Sequence, residues 1–128
     1  MEPSIPNDVL LFIRRYIHRL ETLEVLALLH STPGRSWSAK QVSDEMRSSP
    51  VAAETALAAL VAHGLIAREG AEFSFRPTRA ELAEQTRRLL ACYKDKRTGV
   101  IAAIFAAPRP AILSFAEAFK IKKGKPDG

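Results

Sequence analysis

Apolar residues recur at helical spacing along most of the chain, and proline and glycine divide the pattern into segments. The first segment follows Pro6-Asn7-Asp8, where Asn or Asp can cap the free amides of a first helical turn. Its apolar positions are Val9, Phe12, Ile13, Tyr16, Ile17 and Leu20. Basic residues occupy the opposite side, so we predict an amphipathic helix within residues 1–21.

Residues 22–77 are predicted to alternate short helices and turns before they end in a β-hairpin. Thr22 is expected to cap a second helix, which ends before a turn at Pro33-Gly34. Ser38 and Gln41 fit a capping box, in which the serine accepts from an early amide and the glutamine side chain reaches back. A short third helix is expected to follow.

A fourth helix and the hairpin complete this region. Ser48-Ser49-Pro50 supplies a cap and then a proline at the first helical position, where its missing N–H costs nothing. We expect the helix to end at Gly64, because glycine favours the left-handed conformation of a helix terminus. Beyond it the apolar period changes to two, with Phe73 and Phe75 after a turn at residues 69–71, which predicts the hairpin.

The longest helical stretch is predicted to begin at a second capping box, Thr78 to Glu81. Its apolar stripe comprises Leu82, Leu89, Tyr93, Val100 and Ile104, with Leu90, Ile101 and Phe105 alongside. Pro108 and Pro110 are expected to end it, before a short helix at 111–119 and a loose basic tail at 120–128. A single helix of about 28 residues would extend roughly 42 Å. Its stripe therefore needs a cover, either the N-terminal helix or the same helices of a second subunit.

Length and composition restrict the class of protein. The 128 residues suffice for one domain with one core. Cys92 is the one cysteine, which excludes an internal disulfide and favours a reducing, cytoplasmic location. The apolar stretch at residues 9–13 is too short for a signal peptide, and no stretch is apolar enough to span a membrane.

The net charge of +5 is unevenly distributed. Residues 1–70 carry seven Lys/Arg and eight Asp/Glu, whereas residues 71–128 carry twelve and six. This surplus suggests an anionic partner, although a basic tail often serves solubility alone. The candidates for phosphate contact are Arg14, Arg15, Arg19, Arg87, Arg88, Lys94, Lys96, Arg97, Lys120, Lys122, Lys123 and Lys125.

Catalytic chemistry finds no support in the sequence. His18, His30 and His63 lie on three different predicted helices, in no metal-ligand spacing. There is no glycine-rich phosphate loop, paired acidic motif or nucleophile elbow. Cys92 is expected to be a packing residue, with a redox role left open because neighbouring lysines can lower the pKa of a thiol. We therefore expect no enzyme, and no catalytic, cofactor-binding or metal-binding residues.

The order helix, turn, short helix, turn, helix and hairpin resembles that of bacterial winged helix-turn-helix transcription regulators. Residues 23–29 match the first helix of that motif and residues 38–46 the scaffold helix. The pattern Leu-x-x-Leu-x-x-x-Gly-Leu-Ile at residues 57–66 matches the end of the recognition helix and the entry to the wing. A long helix after the wing is similar to the MarR-like and PadR-like groups. The implied fold class is mainly α with a small β-hairpin wing, an extra N-terminal helix and a long C-terminal helix.

This resemblance implies a transcriptional regulator that binds double-stranded DNA, with the fourth helix in the major groove and the wing on the backbone. The DNA-binding residues that it implies are Lys40, Arg47, Ser48, Ser49, Ala52, Thr55, Arg68 and Arg76. It also implies a homodimer, formed through residues 78–107 and the N-terminal helix. The C-terminal helical segment, residues 78–119, is the expected dimerisation region.

The fourth helix departs from the usual pattern of such regulators, because no Lys or Arg lies between Ser48 and Ala62. Specific readers of DNA usually direct Arg, Lys, Asn, Gln or Ser toward base edges. Glu69 and Glu72 also flank the hairpin tip, where they repel phosphates. A winged-helix adaptor that binds another protein through its alanine-rich helix therefore stays open as the alternative.

Overall fold

The computed structural model describes residues 5–106. Within this range the chain forms six helices and three short strands, so it is mainly helical with a small antiparallel sheet. In chain order the elements are α1 (Asn7–Tyr16), α2 (Leu20–Ser31), β1 (Trp37–Ser38), α3 (Ala39–Met46), α4 (Pro50–Ala62), β2 (Ala67–Glu69), β3 (Glu72–Ser74), α5 (Ala80–Asp95) and α6 (Arg97–Ala106). An α-rich fold with a β-hairpin is thus confirmed. The expectations for residues 107–128 lie outside the described residues.

Serine side chains fix the starts of α3 and α4, as the sequence predicts. Ser38 Oγ accepts from the Gln41 amide at 3.1 Å, and Gln41 Oε1 accepts from the Ser38 amide at 2.9 Å. Ser49 Oγ accepts from the Ala52 amide at 3.1 Å, with Pro50 at the first helical position. Each such cap stabilises its helix by about 1 kcal/mol.

The other three predicted caps are wrong, because the helices begin at different residues. Pro6 occupies the N-cap position of α1, Arg19 that of α2 and Arg79 that of α5, each without a side-chain cap. Thr22 lies inside the first turn of α2, and Thr78 lies before the N-cap of α5. The first amides of these three helices therefore have no capping side chain from the N-cap residue.

The sheet has the strand order β1-β3-β2, with both neighbours antiparallel to β3. Phe73 of β3 pairs with Trp37 on one side and with Arg68 on the other. Trp37 is buried, and its indole Nε1 donates to Thr32 Oγ1 at 3.0 Å. The sheet is thereby attached to the end of α2.

Gly64 follows α4 and fixes the chain that returns from the hairpin. Its φ is 76°, a left-handed conformation that glycine adopts without strain. Its carbonyl accepts from the Thr78 amide at 2.9 Å, and a Cβ at position 64 would lie 2.7 Å from Thr78 Oγ1. Only glycine fits there without a shift of residue 78.

The predicted single long helix is wrong, because the chain bends between α5 and α6 at Lys96, where φ is −130° and ψ is 52°. The bend lets α5 and α6 pack on each other and lets both pack on α1. The stripe Leu82, Leu89, Tyr93, Val100 and Ile104 is buried within the one chain. At the same contact Arg88 donates two hydrogen bonds to Asp8, at 2.6 and 3.1 Å. Of the two covers considered for the stripe, the N-terminal helix is the one observed.

Candidate nucleic-acid interface

A tight connection fixes the start of α4 relative to α3. Arg47 follows α3 in the left-handed conformation, with φ at 56°. Ser43 Oγ donates to the Ser48 carbonyl at 2.6 Å, and the Ser48 amide donates to the Ser43 carbonyl at 3.0 Å. Ser43 is buried, so these bonds are shielded from water. The first turn of α4, with its Ser49 cap, therefore has a defined position.

The outward stripe of α4 consists of five exposed residues, Val51, Glu54, Thr55, Ala58 and Ala62. The opposite side of the helix contributes Ala53, Ala56, Leu57 and Leu60 to the core, and α4 packs on α2 and α3. Val51 is 71% exposed. Glu54 carries the only formal charge of the stripe. This surface offers mainly methyl groups and one carboxylate.

The first-turn pocket lies where the beginnings of α2 and α4 meet. It has a volume of about 180 Å³. Its lining residues are Arg19, Glu21, Thr22, Ser49, Val51, Ala52, Thr55 and Ala56. Thr22 is 5% exposed, and its hydroxyl makes no hydrogen bond within residues 5–106. Two helix N-termini, three hydroxyl-bearing residues and the oppositely charged Arg19 and Glu21 thus border one small opening.

The chemistry of the first-turn pocket suits an anion. The amides of the first turn of α2 point out of the helix end and have no capping side chain from Arg19. The helix dipole adds partial positive charge at the same place. Arg19 Nε lies 3.8 Å from Glu21 Oε1, and both side chains are largely exposed. Such an exposed pair is weak, so an incoming anion can compete for the guanidinium.

The hairpin groove lies at the other end of α4, between the helix and the sheet. It has a volume of about 550 Å³. Its lining residues are Ala39, Glu54, Ala58, Val61, Ala62, Arg68, Ala71 and Phe73. Arg68 folds back on the hairpin, with Nε donating to the Gly70 carbonyl at 2.8 Å and the guanidinium 5.7 Å from the Phe73 ring centroid. Most of this groove is therefore apolar.

The structure brings only some of the predicted DNA-binding residues together. Ser49, Ala52 and Thr55 line the first-turn pocket, whereas Arg68 lines the hairpin groove. Lys40 Nζ is 2.9 Å from Asp44 Oδ2, so a carboxylate already accompanies its charge. Three further predicted residues are not among those that line the two cavities. Arg47 and Arg76 are exposed, and Ser48 is half-buried.

Several basic residues of α5 and α6 are paired with carboxylates. Arg87 contacts Glu84 at 2.6 Å, Arg88 contacts Asp8 at 2.6 Å and Arg97 lies 3.7 Å from Glu24. Hydrogen bonds from the arginines hold the pKa of Asp8 and of Glu84 below the ordinary value, so both carboxylates stay ionised. The positive charge of these helices is consequently offset where these pairs form.

The hypothesis that lysines lower the pKa of Cys92 is wrong in its net direction. Burial raises the pKa of the thiol, and the positive charge of Lys96 only partly opposes this. Cys92 is 9% exposed and belongs to the hydrophobic core. Such surroundings disfavour the nucleophilic thiolate.

Sequence reasoning missed most of the residues that line the two cavities, and three of them illustrate why. Arg19 was grouped with the arginines of the first helix, but it stands at the N-cap of α2. Val51 shares the outward stripe with Thr55, and the i, i+4 spacing of the two was a usable signal. Phe73 was recognised as a strand residue, yet nothing local in the sequence places it beside α4.

Comparisons of the chain with protein-family models, with curated proteins and with solved structures found no match. Within residues 5–106, no three His, Cys, Asp or Glu side chains are grouped so that they can hold a metal ion. None of the helices in that range has the length and apolar character that a membrane crossing requires.

Proposed function

We propose that this chain is a DNA-binding transcriptional regulator of the winged helix-turn-helix type. In this assignment α2, α3 and α4 are the three helices of the motif, and β2 with β3 is the wing. The element order and the β1-β3-β2 sheet support it. The helix that enters the major groove is then α4, whose start is fixed by the Ser43–Ser48 bonds.

The observation that carries this proposal is the first-turn pocket. Arg19, Glu21 and Thr22, at the uncapped start of α2, border an opening beside the Ser49 cap of α4. Helix N-termini and arginines are preferred partners of phosphate oxygens. A DNA phosphate held in this pocket brings the adjacent base edges toward the outward stripe of α4.

The test is an anisotropy titration of labelled random-sequence duplex at low salt. We expect Arg19→Gln to weaken binding about tenfold and to reduce the slope of log affinity against log salt by about 0.9, because one phosphate contact is lost. Arg87→Gln is the matched control, since it removes one positive charge from α5, where Glu84 already accompanies it. The control is expected to leave the slope unchanged.

Two results contradict the proposal. One is the absence of duplex binding at micromolar protein in low salt, where non-specific binding is strongest. The other is an equal loss of affinity in Arg19→Gln and Arg87→Gln, which would assign binding to net charge instead of the first-turn pocket.

The alternative of a protein-binding adaptor is favoured by one observation, the hairpin groove. Its alanine-rich wall permits close approach of a partner backbone, and Phe73 and Val61 add apolar area. Duplex DNA supplies little apolar surface to fill such a groove. If the chain does not bind duplex, the adaptor alternative applies. Ala58→Arg is then expected to abolish the affinity for the protein partner.

Homodimer formation stays a prediction, but its reason from the sequence no longer holds. The stripe of α5 and α6 is covered by α1 within one chain. Leu11 and Phe105 remain exposed in this region, at 56% and 64%. Two side chains supply only a small part of the roughly 800 Å² per partner that a stable interface buries. Light scattering at tens of micromolar tests it, and a monomeric mass contradicts the homodimer.

A further inference from the structure

Val51 lies in the first turn of α4 and is the most exposed of the large apolar side chains within residues 5–106. Core packing does not account for a valine there, since 71% of the residue is open to solvent. Helix propensity does not account for it either, because β-branched residues are poorer helix formers than alanine. Val51 is therefore available to contact something outside the chain.

The surroundings of Val51 indicate the chemistry of that contact. Val51 lines the first-turn pocket together with Arg19 and Thr22. The uncapped amides of α2 and the guanidinium of Arg19 attract an anion, against the opposing carboxylate of Glu21 in the same pocket, and the hydroxyl of the nearly buried Thr22 has no protein partner within residues 5–106. A partner that covers Val51 thus carries negative charge next to an apolar group. Duplex DNA meets both conditions, because phosphates flank a major groove that contains methyl groups.

The composition of the outward stripe narrows the base that can be recognised. Guanine is read mostly by Arg or Lys and adenine by Asn or Gln, and the stripe contains none of these residue types. The apolar feature of the major-groove edge is the C5-methyl group of thymine. An isopropyl side chain can bury that methyl group, and its restricted rotamers make the contact rigid.

We propose that Val51 contacts the C5-methyl group of a thymine and thereby sets a preference for thymine at the base pair that faces the first turn of α4. This inference rests on the proposed DNA-binding function and assigns a specificity-determining residue to it. Thr55 lies one turn further along the same stripe and adds a second methyl group beside the first. Base readout here is mainly apolar, while the first-turn pocket holds the phosphate.

The experiment replaces thymine with deoxyuridine, which removes only the methyl group and keeps base pairing and charge. A preferred site is first selected from a random duplex library, and each thymine is then exchanged singly. We expect one exchange to weaken binding about fourfold, the value for loss of one buried methyl or methylene group. In Val51→Ala, the ratio of the affinity for the thymine duplex to that for the uracil duplex is expected to fall close to one at that position. Alanine favours helix at this exposed position, so the variant folds.

Leu11→Ala is the matched control, because it shortens an exposed apolar side chain of α1 and is expected to keep the fourfold ratio. The inference is overturned if the chain binds duplex but no thymine exchange matters. It is also overturned if the fourfold ratio persists in Val51→Ala. Absence of binding to any thymine-containing duplex is a different result, because it overturns the proposed function itself.

Discussion

The two ends of α4 differ in chemistry although one regular helix connects them. At its beginning, Ser49 and Val51 border a small pocket with the uncapped start of α2. Toward its end, Val61 and Ala62 border a larger groove whose far wall is the hairpin with Phe73. The first opening combines a helix N-terminus with Arg19 and Glu21, whereas the second is mainly apolar apart from Glu54 and Arg68.

This difference arises from the neighbours of α4 more than from α4 itself. Its outward stripe contains one formal charge, Glu54, and otherwise carries small or apolar side chains and a threonine. The charged groups at the beginning, Arg19 and Glu21, come from the start of α2, and the apolar wall at the end comes from β3. The side chains of α4 therefore contribute little to the difference between its two ends.

The largest expected effect on stability comes from disturbing the connection between the end of α4 and the hairpin at Gly64. Gly64→Ala is expected to lower the free energy of unfolding by about 3 kcal/mol, because it adds left-handed strain and a clash with Thr78. Gly70→Ala is the matched control, since φ there is also positive, at 62°, but no atom lies within 4 Å of the added Cβ. It is expected to cost about 1 kcal/mol. Urea unfolding measures the free energy of unfolding of both variants. Equal losses would show that the contact with Thr78 adds no cost at position 64.

A positive charge in the hairpin groove tests whether that end also faces DNA. Ala58→Arg is expected to raise duplex affinity about tenfold at low salt, because it supplies one more phosphate contact. Ala102→Arg adds the same charge to an exposed position of α6 and is expected to change affinity little. An unchanged affinity in Ala58→Arg would confine the DNA contact to the first-turn pocket.

Removing the negative charge between the two ends has a smaller expected effect. Glu54→Gln is expected to raise duplex affinity about threefold. The exposed carboxylate of Glu54 lies on the outward stripe, where it repels nearby DNA phosphates through water. Glu81→Gln removes an equal charge from α5 and serves as the control. Anisotropy titrations at two salt concentrations measure the effect, which should shrink as salt screens it. Equal gains in duplex affinity in both variants would show that only the net charge of the protein matters.

The smallest expected effect concerns His63, which follows the last turn of α4 and stacks edge-on with Tyr16 at 5.1 Å. Burial lowers its pKa below the ordinary 6.5, and the nearby His18 adds to this. The unfolded chain therefore binds a proton more readily than the folded chain. Stability from this group is fully present above pH 6.5 and is lost as the pH falls from there through the folded pKa.

Thermal unfolding at pH 7.5 and at lower pH measures this effect. His63→Gln is expected to depend less on pH than the unchanged protein, whereas His30→Gln is expected to keep the original dependence. His30 is a fair control, because it also packs edge-on with an aromatic ring, Phe75, at 4.9 Å. If only His30→Gln loses the pH dependence of stability, His63 is not the source of that dependence.

Those parts of the fold whose chemistry is local were predictable from the sequence. The Ser38 capping box and the Ser49 cap depend on residues at most three positions apart, and both form as expected. Gly64 likewise occupies the left-handed position that its place after an apolar helix indicates. Thr22 and Thr78 had similar local signals but do not cap, because α2 and α5 begin after Arg19 and Arg79 instead.

The features that depend on distant residues were not predictable. The bend at Lys96 allows both α5 and α6 to reach α1. Gly99, three residues further on, is a local signal of close approach, because a Cβ there would lie 3.1 Å from Ile5 Cδ1, but it does not indicate which element approaches. The first-turn pocket combines Arg19 with Ser49, thirty positions away. Hydrophobic periodicity indicates which face of a helix is covered, but it does not indicate which element covers it.

The Asp8–Arg88 pair joins residues that are 80 positions apart, and this separation has a consequence for the order of folding. As the chain is synthesised, α1 emerges first but meets α5 and α6 only after the elements from α2 to β3 exist. Closing so long a loop costs more entropy than forming the local contacts within it. We expect amides of α2 to α4 to gain protection from hydrogen exchange before those of α1 during refolding. Of the helices described here, α1 is thus expected to dock only after α5 and α6 have formed.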